Sequence, residues 1–147
     1  MAGIPEVQRF FREAGDVSVD KSDVARFREF VDEEIDDIAI SARDSARWNN
    51  RDVIAPQDLP ITKGLQERMR EFDKLESAGD MRDWIGQLLR RPPDEVTFNE
   101  ETEQMLTEVF GGLGIGLARS FRIVDPDVSN PSTEHWERSL ALLRLLV

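Results

Sequence analysis

The sequence predicts an all-α protein made of two tandem copies of one short–long–short helical unit. Three observations carry this prediction. Apolar residues step by three or four positions in one unbroken stripe from Val24 to Ala46. A shift of 75 residues lays the second half of the chain on the first. So long a stripe cannot be buried against two short neighbours, so a second unit has to cross it and cover it. The units divide at residues 1–75 and 76–147 and share one core.

The elements follow in order. Val7, Phe10, Phe11 and Ala14 recur at helical spacing, so residues 5–14 form a short amphipathic helix ended by Gly15. After the extended "DVSVD", Asp20 or Ser22 caps the long helix, with Asp23 in its first turn. Its stripe runs through Val24, Phe27, Val31, Ile35, Ile38, Ala42 and Ala46, a helix of roughly 38 Å. "NNRDVIAPQDLPITKGL", residues 49–65, then interrupts the helix formers with a brief extended "VI" and with Pro56, placed for the first turn of a third helix. Leu65, Met69, Phe72 and Leu75 mark the buried side of that helix.

The second half repeats the plan. Phe10 falls on Ile85, Val31 on Leu106, Ile35 on Phe110, Ile38 on Leu113, Ala42 on Leu117, Pro56 on Pro131 and Leu65 on Leu140. Thr97 with Glu100 has capping-box spacing, with Asn99 as the competing cap. Gly111, Gly112, Gly114 and Gly116 sit at the centre of the second long helix. An interior glycine costs about 1 kcal/mol relative to alanine, so four of them need a reason. Close backbone approach where the long helices cross, facing residues 38–42, is the reason we expect. A phosphate-binding loop is the rival, but no strand precedes these glycines and no lysine with serine or threonine follows.

Composition narrows the function classes. The chain has 147 residues and no cysteine, so it carries no disulfide framework or thiolate metal site. It has no signal-peptide plan at its start and no apolar run near the 18 or so residues of a membrane span. It reads as soluble and cytoplasmic. Nineteen basic residues against thirty acidic give a net charge of −11, the reverse of what a protein that neutralises many phosphates carries.

The stretches "FFREAG" and "SDVARFREFVDEEIDDIAISARDSARWNNRDVIAPQDLPITKGL" resemble the histone fold, above all its archaeal type. The two-copy plan, with "NNRDVIAPQDLPITKGLQE" and the late "NPSTEHWER", is similar to a bacterial family of uncharacterised proteins with two histone folds in one chain. The resemblance implies two tandem histone folds forming an intramolecular handshake pseudo-dimer. It also implies that the segment after the long helix makes a small parallel bridge with the partner unit's first loop. Arg51 and Asp58 match an arginine and aspartate seven apart that clamp this segment. The second copy has Pro126 and Thr133 at those positions, so the clamp is absent there and packing with Pro126 and Pro131 is expected to hold that loop.

Histones that wrap DNA grip phosphates from both ends of the pseudo-dimer. Here the first loop offers Asp16, Ser18, Asp20 and a single Lys21, and Asp52 stands where archaeal histones typically have lysine. One end would gather Arg47, Asn49, Asn50 and Arg51 with Arg90 and Arg91, the residues available for contact with DNA or a partner. The other would gather Asp16, Asp20, Asp125 and Asp127. Net charge therefore disfavours DNA.

Enzyme readings fare no better. "DEEIDD", residues 32–37, brackets the stripe residue Ile35 and faces water. His135, the only histidine, has no evident triad and suits a capping or interface role. Trp48, Trp84 and Trp136 read as core or rim residues. The expectation is a non-enzymatic protein-interaction or assembly module, with no cofactor, metal or small-molecule substrate, whose partner is another protein or a second copy. The alternative is a degenerate nucleoid-associated protein with weak, sequence-independent DNA binding.

Overall fold

A computed structural model describes residues 3–89 and 98–146. Six α-helices account for most of them: α1 (Ile4–Gly15), α2 (Lys21–Trp48), α3 (Lys63–Asp73), α4 (Ala78–Leu89), α5 (Glu100–Val124) and α6 (Thr133–Leu146). The order short, long, short thus occurs twice. Extended pairing among the described residues is confined to one isolated parallel bridge between Ile54 and Phe98.

Local chemistry sets the helix ends. Asp20 and Asp23 form a reciprocal capping box at the start of α2, each carboxylate accepting the other's backbone N–H at 2.9 Å. Asn99 caps α5 by accepting the Thr102 N–H at 2.8 Å; Thr97, its competitor, lies outside the described residues. The third helix starts later than expected. Pro56 opens a single 3-10 turn, Pro56–Asp58, and α3 begins only at Lys63, capped by Thr62. Pro60 explains the delay, because the residue before a proline is pushed into extended backbone, as Leu59 is at φ −73°, ψ 139°.

The two long helices play unequal parts. Helix α2 keeps a one-sided stripe, burying Val24, Phe27, Val31, Ile35, Ile38, Ala42 and Ala46. Helix α5 is buried nearly all round from Val109 to Ala118, because α1, α3, α4 and α6 all pack against it. This corrects the reading of the glycines. A Cβ on Gly111 would meet the Phe72 ring, one on Gly112 would meet Met69 and Leu65, and one on Gly114 would meet Phe10 and Phe27. The nearest atom to Gly116 belongs to Leu143. The nearest neighbours therefore come from α3, α1, α2 and α6, and none from residues 38–42. What the glycines admit is chiefly large side chains, whereas the close backbone approach occurs at Gly15, where a Cβ would collide with the carbonyl of Ala118. Gly15 is thus the packing surface of α1 on α5, and Asp16 makes the left-handed turn that ends the helix, at φ 53°.

An aromatic cluster fills the core between the units. Phe11 meets Phe27 edge-on at 5.2 Å between centroids, Trp84 stacks on Phe27 at 5.6 Å, and Phe121 meets Trp136 at 5.0 Å. Such pairs add about 0.5–1.5 kcal/mol each beyond their buried area. Polar contacts cross between the halves as well. The Glu13 carboxylate of α1 accepts the backbone N–H groups of Glu76 and Ser77 at 3.1 and 3.0 Å, just before α4. Arg82 of α4 joins Glu108 of α5 to Asp73 of α3.

Because the atom opposite Gly15 is backbone, it cannot rotate away. Gly15→Leu is expected to destabilise the fold by at least about 1–3 kcal/mol, the usual cost of overpacking. Gly79→Ala, with open space at its Cβ, should stabilise by about 0.4–1 kcal/mol. Urea unfolding of the two variants checks the pair, and equal midpoints would refute the packing argument.

Candidate functional site

The loop between α2 and α3 is built on one carboxylate. Asp58 is buried, its side chain 1% exposed, and it receives hydrogen bonds from three residues. Arg51 contributes two, Nη1 to Oδ2 at 2.7 Å and Nη2 to Oδ1 at 2.8 Å. Ser45 Oγ donates to Oδ1 at 3.0 Å, and the backbone N–H of Ala55 donates to Oδ2 at 2.8 Å. These bonds, the Arg51 fork first, hold the Asp58 carboxyl well below the usual carboxylate range against the opposing effect of burial. Arg51 is correspondingly pushed further towards its charged form. Its side chain is 32% exposed, so water screens the outer part, and the cost of breaking the pair falls on the buried carboxylate.

The clamp positions Ile54. With its ends pinned, the loop carries Ile54 into the parallel bridge with Phe98, and Thr102 Oγ of α5 donates to the Ile54 carbonyl at 2.9 Å. Asn49 and Asn50 finish α2: the Asn49 side chain donates to the Ser45 carbonyl at 2.9 Å, and Asn50 takes the left-handed conformation at φ 58°.

Around this frame lies an exposed surface that includes the expected contact residues Arg47 and Asn50. Trp84 and Trp136 are buried, but Trp48 is 87% exposed at the last turn of α2. It lines a shallow hollow of about 360 Å³ with Asp44, Arg47 and Asn50, and exposed Val53 follows in the loop. Of the two readings of the tryptophans, core or rim, Trp84 and Trp136 take the first and Trp48 the second. Its place one or two positions off the phase of Ala42 and Ala46 is the signal that it faces out. Arg90 and Arg91, expected at this end, lie outside the described residues.

The opposite end differs from expectation in two ways. It is not simply acidic, because Arg122 donates to the Asp16 carbonyl at 2.7 Å, Arg12 reaches Ser18 Oγ at 2.9 Å, and Arg26 reaches Thr133 Oγ at 2.8 Å. Nor is the second loop held by packing and prolines alone. In place of an arginine clamp, His135 Nε2 lies 2.9 Å from Asp125 Oδ2, and Nδ1 accepts the backbone N–H of Ser132 at 2.9 Å. Ser132 Oγ also lies 3.0 Å from Nδ1, so serine, histidine and aspartate form a line. The Nδ1 lone pair is already taken by a backbone donor, so it is not free to draw a proton from the serine. The arrangement is a helix cap of α6. The Asp125 carboxyl is lowered, first by its bond to His135.

Two further carboxylates are buried away from the loops. Asp23, 4% exposed, accepts the Trp136 indole N–H at 2.7 Å, and burial raises its carboxyl. Glu34, read in sequence as solvated, is 6% exposed and raised chiefly by burial. Arg144 of α6 lies 4.0 Å from it and pairs closely with Glu33 at 2.6 Å.

The family described as a domain of unknown function, DUF1931, matches residues 7–144. The chain belongs to the DUF1931 family. A crystal structure of a protein from Thermus thermophilus is 35% identical, with a TM-score of 0.81, and the match covers 97% of each chain. A 1.9 Å crystal structure of an Aquifex aeolicus protein has a TM-score of 0.82 at 25% identity, covering 99% of this chain and 95% of that one. An uncharacterized protein from Aquifex aeolicus (strain VF5) is 28% identical over 111 residues, 76% of this chain. The match spans 65% of that relative's length.

A lowered carboxyl stabilises above its unfolded value and ceases to do so as pH falls towards its folded one. The contribution of Asp58 is therefore complete at neutral pH and lost only below about pH 4. Asp58→Asn is expected to lower the melting temperature at pH 7 and to flatten the acid limb below about pH 4. Identical pH–stability curves for the two proteins would refute the clamp.

Proposed function

We propose that the protein is a non-enzymatic assembly module, a single-chain pair of histone folds that closes on itself and joins a second copy through α6. Four features support the histone-fold part: the repeated helix order, the Arg51–Asp58 clamp, the Ile54–Phe98 bridge, and the backbone bond from Ser18 N–H to the Ser129 carbonyl at 2.7 Å. The last two contacts join the loops of opposite halves at opposite ends, as a handshake requires.

The observation that carries the assembly part is the second half of α6. Leu140 and Leu143 pack partly against the core, while Leu142, Leu145 and Leu146 remain 48%, 80% and 76% exposed. Apart from Arg144, which pairs with Glu33, that stretch is apolar on both its core and its outer side. With the chain already closed on its own core, a contiguous apolar face is left over, the mark of an interaction surface. Glu134, Glu137 and Arg138 occupy the first half of the helix and supply a polar rim.

Sedimentation velocity from about 1 to 100 µM tests this, a range that brackets interfaces of modest size. The mass is expected to rise above that of one chain, and Leu142→Glu with Leu145→Glu should return it to the monomer. A monomer throughout would remove self-association.

The nucleoid reading keeps one supporting observation. Arg47 is exposed beside Trp48 and makes no ion pair among the described residues. A net charge of −11 weighs against it. Anisotropy with a 60-base-pair duplex should show no salt-sensitive binding between about 50 and 200 mM salt. Tight binding that collapses over that range would favour DNA instead.

A further inference from the structure

His135 is the only histidine in the chain, and its ring ties the end of α5 to the start of α6. A nitrogen that accepts an N–H bond carries no proton. Because Nδ1 accepts the Ser132 N–H, the neutral ring is the Nε2–H tautomer and donates to Asp125. The loop closed in this way is also the one that meets the first half of the chain, through the Ser18 to Ser129 bond.

We propose that His135 is a proton-sensitive staple: on gaining its second proton the ring keeps Asp125 and exchanges the Ser132 N–H for the Ser132 hydroxyl, leaving that backbone N–H without its acceptor at the start of α6. A proton on Nδ1 cannot share the 2.9 Å contact with the Ser132 N–H, because two donors would face each other, and the acceptor within reach is Ser132 Oγ at 3.0 Å. Charge acts in the same direction. The contact with Asp125 becomes an ion pair, while the N-terminus of α6 carries the positive end of its dipole and repels a cation. The remaining charged neighbours do not reverse this. Asp127 lies on the Asp125 side of the loop, and Glu134 is paired with Arg138 at 2.7 Å. From α2, Arg26 is bonded to the Thr133 hydroxyl and adds positive charge near the cap, while Asp23 is engaged by the Trp136 indole.

The exchange is local. The N–H bond to Nδ1 is lost and the Asp125 contact gains charge, while α6 stays docked through buried Trp136 and the loop stays joined to the first half through the Ser18 N–H to Ser129 carbonyl bond. The staple stands or falls independently of whether the leucine face binds a partner.

Nuclear magnetic resonance of the ¹⁵N-labelled chain, from about pH 8 to pH 5, tests it over the range in which imidazoles change charge. At the higher pH the ring should show a protonated Nε2 and a bare Nδ1. On acidification the Ser132 amide resonance should move with the same midpoint as the imidazole, while the Trp136 indole resonance stays in place. In His135→Gln the Ser132 amide should show no such transition. A protonated Nδ1 at the higher pH would overturn the proposal. So would a Ser132 amide that ignores the imidazole, or one that still titrates in the variant.

Discussion

The middle of helix α5, from Val109 to Ala118, leaves almost no face for water, and the rest of the architecture answers that constraint. From Val109 to Ala118 it carries no charged side chain, and four helices close around it. A cylinder surrounded on all sides has little room for side chains of its own wherever a neighbour brings a large one. Phe72, Met69 and Phe10 are such neighbours, and glycine stands opposite each of them. The intrinsic penalty of about 1 kcal/mol per interior glycine is offset by aromatic and sulfur-bearing side chains packed where a methyl group would otherwise sit. The first half of the same helix, with Glu100, Glu101 and Glu103 in its first turn, buries only one side, through Thr102 and Leu106, and carries no glycine.

The polar devices of the molecule gather where the halves meet, and they differ in kind. Arg51 and Asp58 are charged at any physiological pH, so their clamp is permanent, and the further donors Ser45 and Ala55 leave the carboxylate no reason to protonate. At the corresponding place in the second half stands a histidine, which can change charge. Asp23 connects that end to the core by accepting from both the backbone at the start of α2 and the indole of α6. Buried pairs of this sort contribute less to net stability than to selecting one arrangement among several. That is what two similar units in one chain require if each loop is to find the right partner.

Much of this was legible in the sequence. The 3.6-residue rhythm of Val24 to Ala46 and its echo 75 positions later specify six helices, and the resemblance to the histone fold carries the clamp onto Arg51 and Asp58. The failures have physical causes. The glycines signalled tight packing but not against what, because the identity of a neighbour depends on the tertiary arrangement. Pro56 suits both a 3-10 turn and the first turn of an α-helix, and only Pro60 further on separates them. The Asp125–His135 contact spans ten residues across a loop, and no periodicity reports a loop's shape. Glu34 looked solvated because its neighbours are acidic, yet one position of a helix face suffices to bury it against α6.

The surface charge also has a structural reading. Arg9, Arg51, Arg68, Arg82, Arg119, Arg122, Arg138 and Arg144 are all engaged with carboxylates of this chain. Several of these pairs join different helices: Arg82 of α4 reaches Glu108 of α5, Arg119 of α5 reaches Glu71 of α3, and Arg144 of α6 reaches Glu33 of α2. These eight of the nineteen basic residues are thus committed to pairs within the chain, against thirty acidic residues in all. A partner rich in phosphate would have to compete with internal carboxylates for these eight guanidinium groups, though not for Arg47. A partner that brings apolar surface to Leu142 and Leu145 meets no such competition, and this difference in cost, beside the net charge, is a further support for the proposed protein partner.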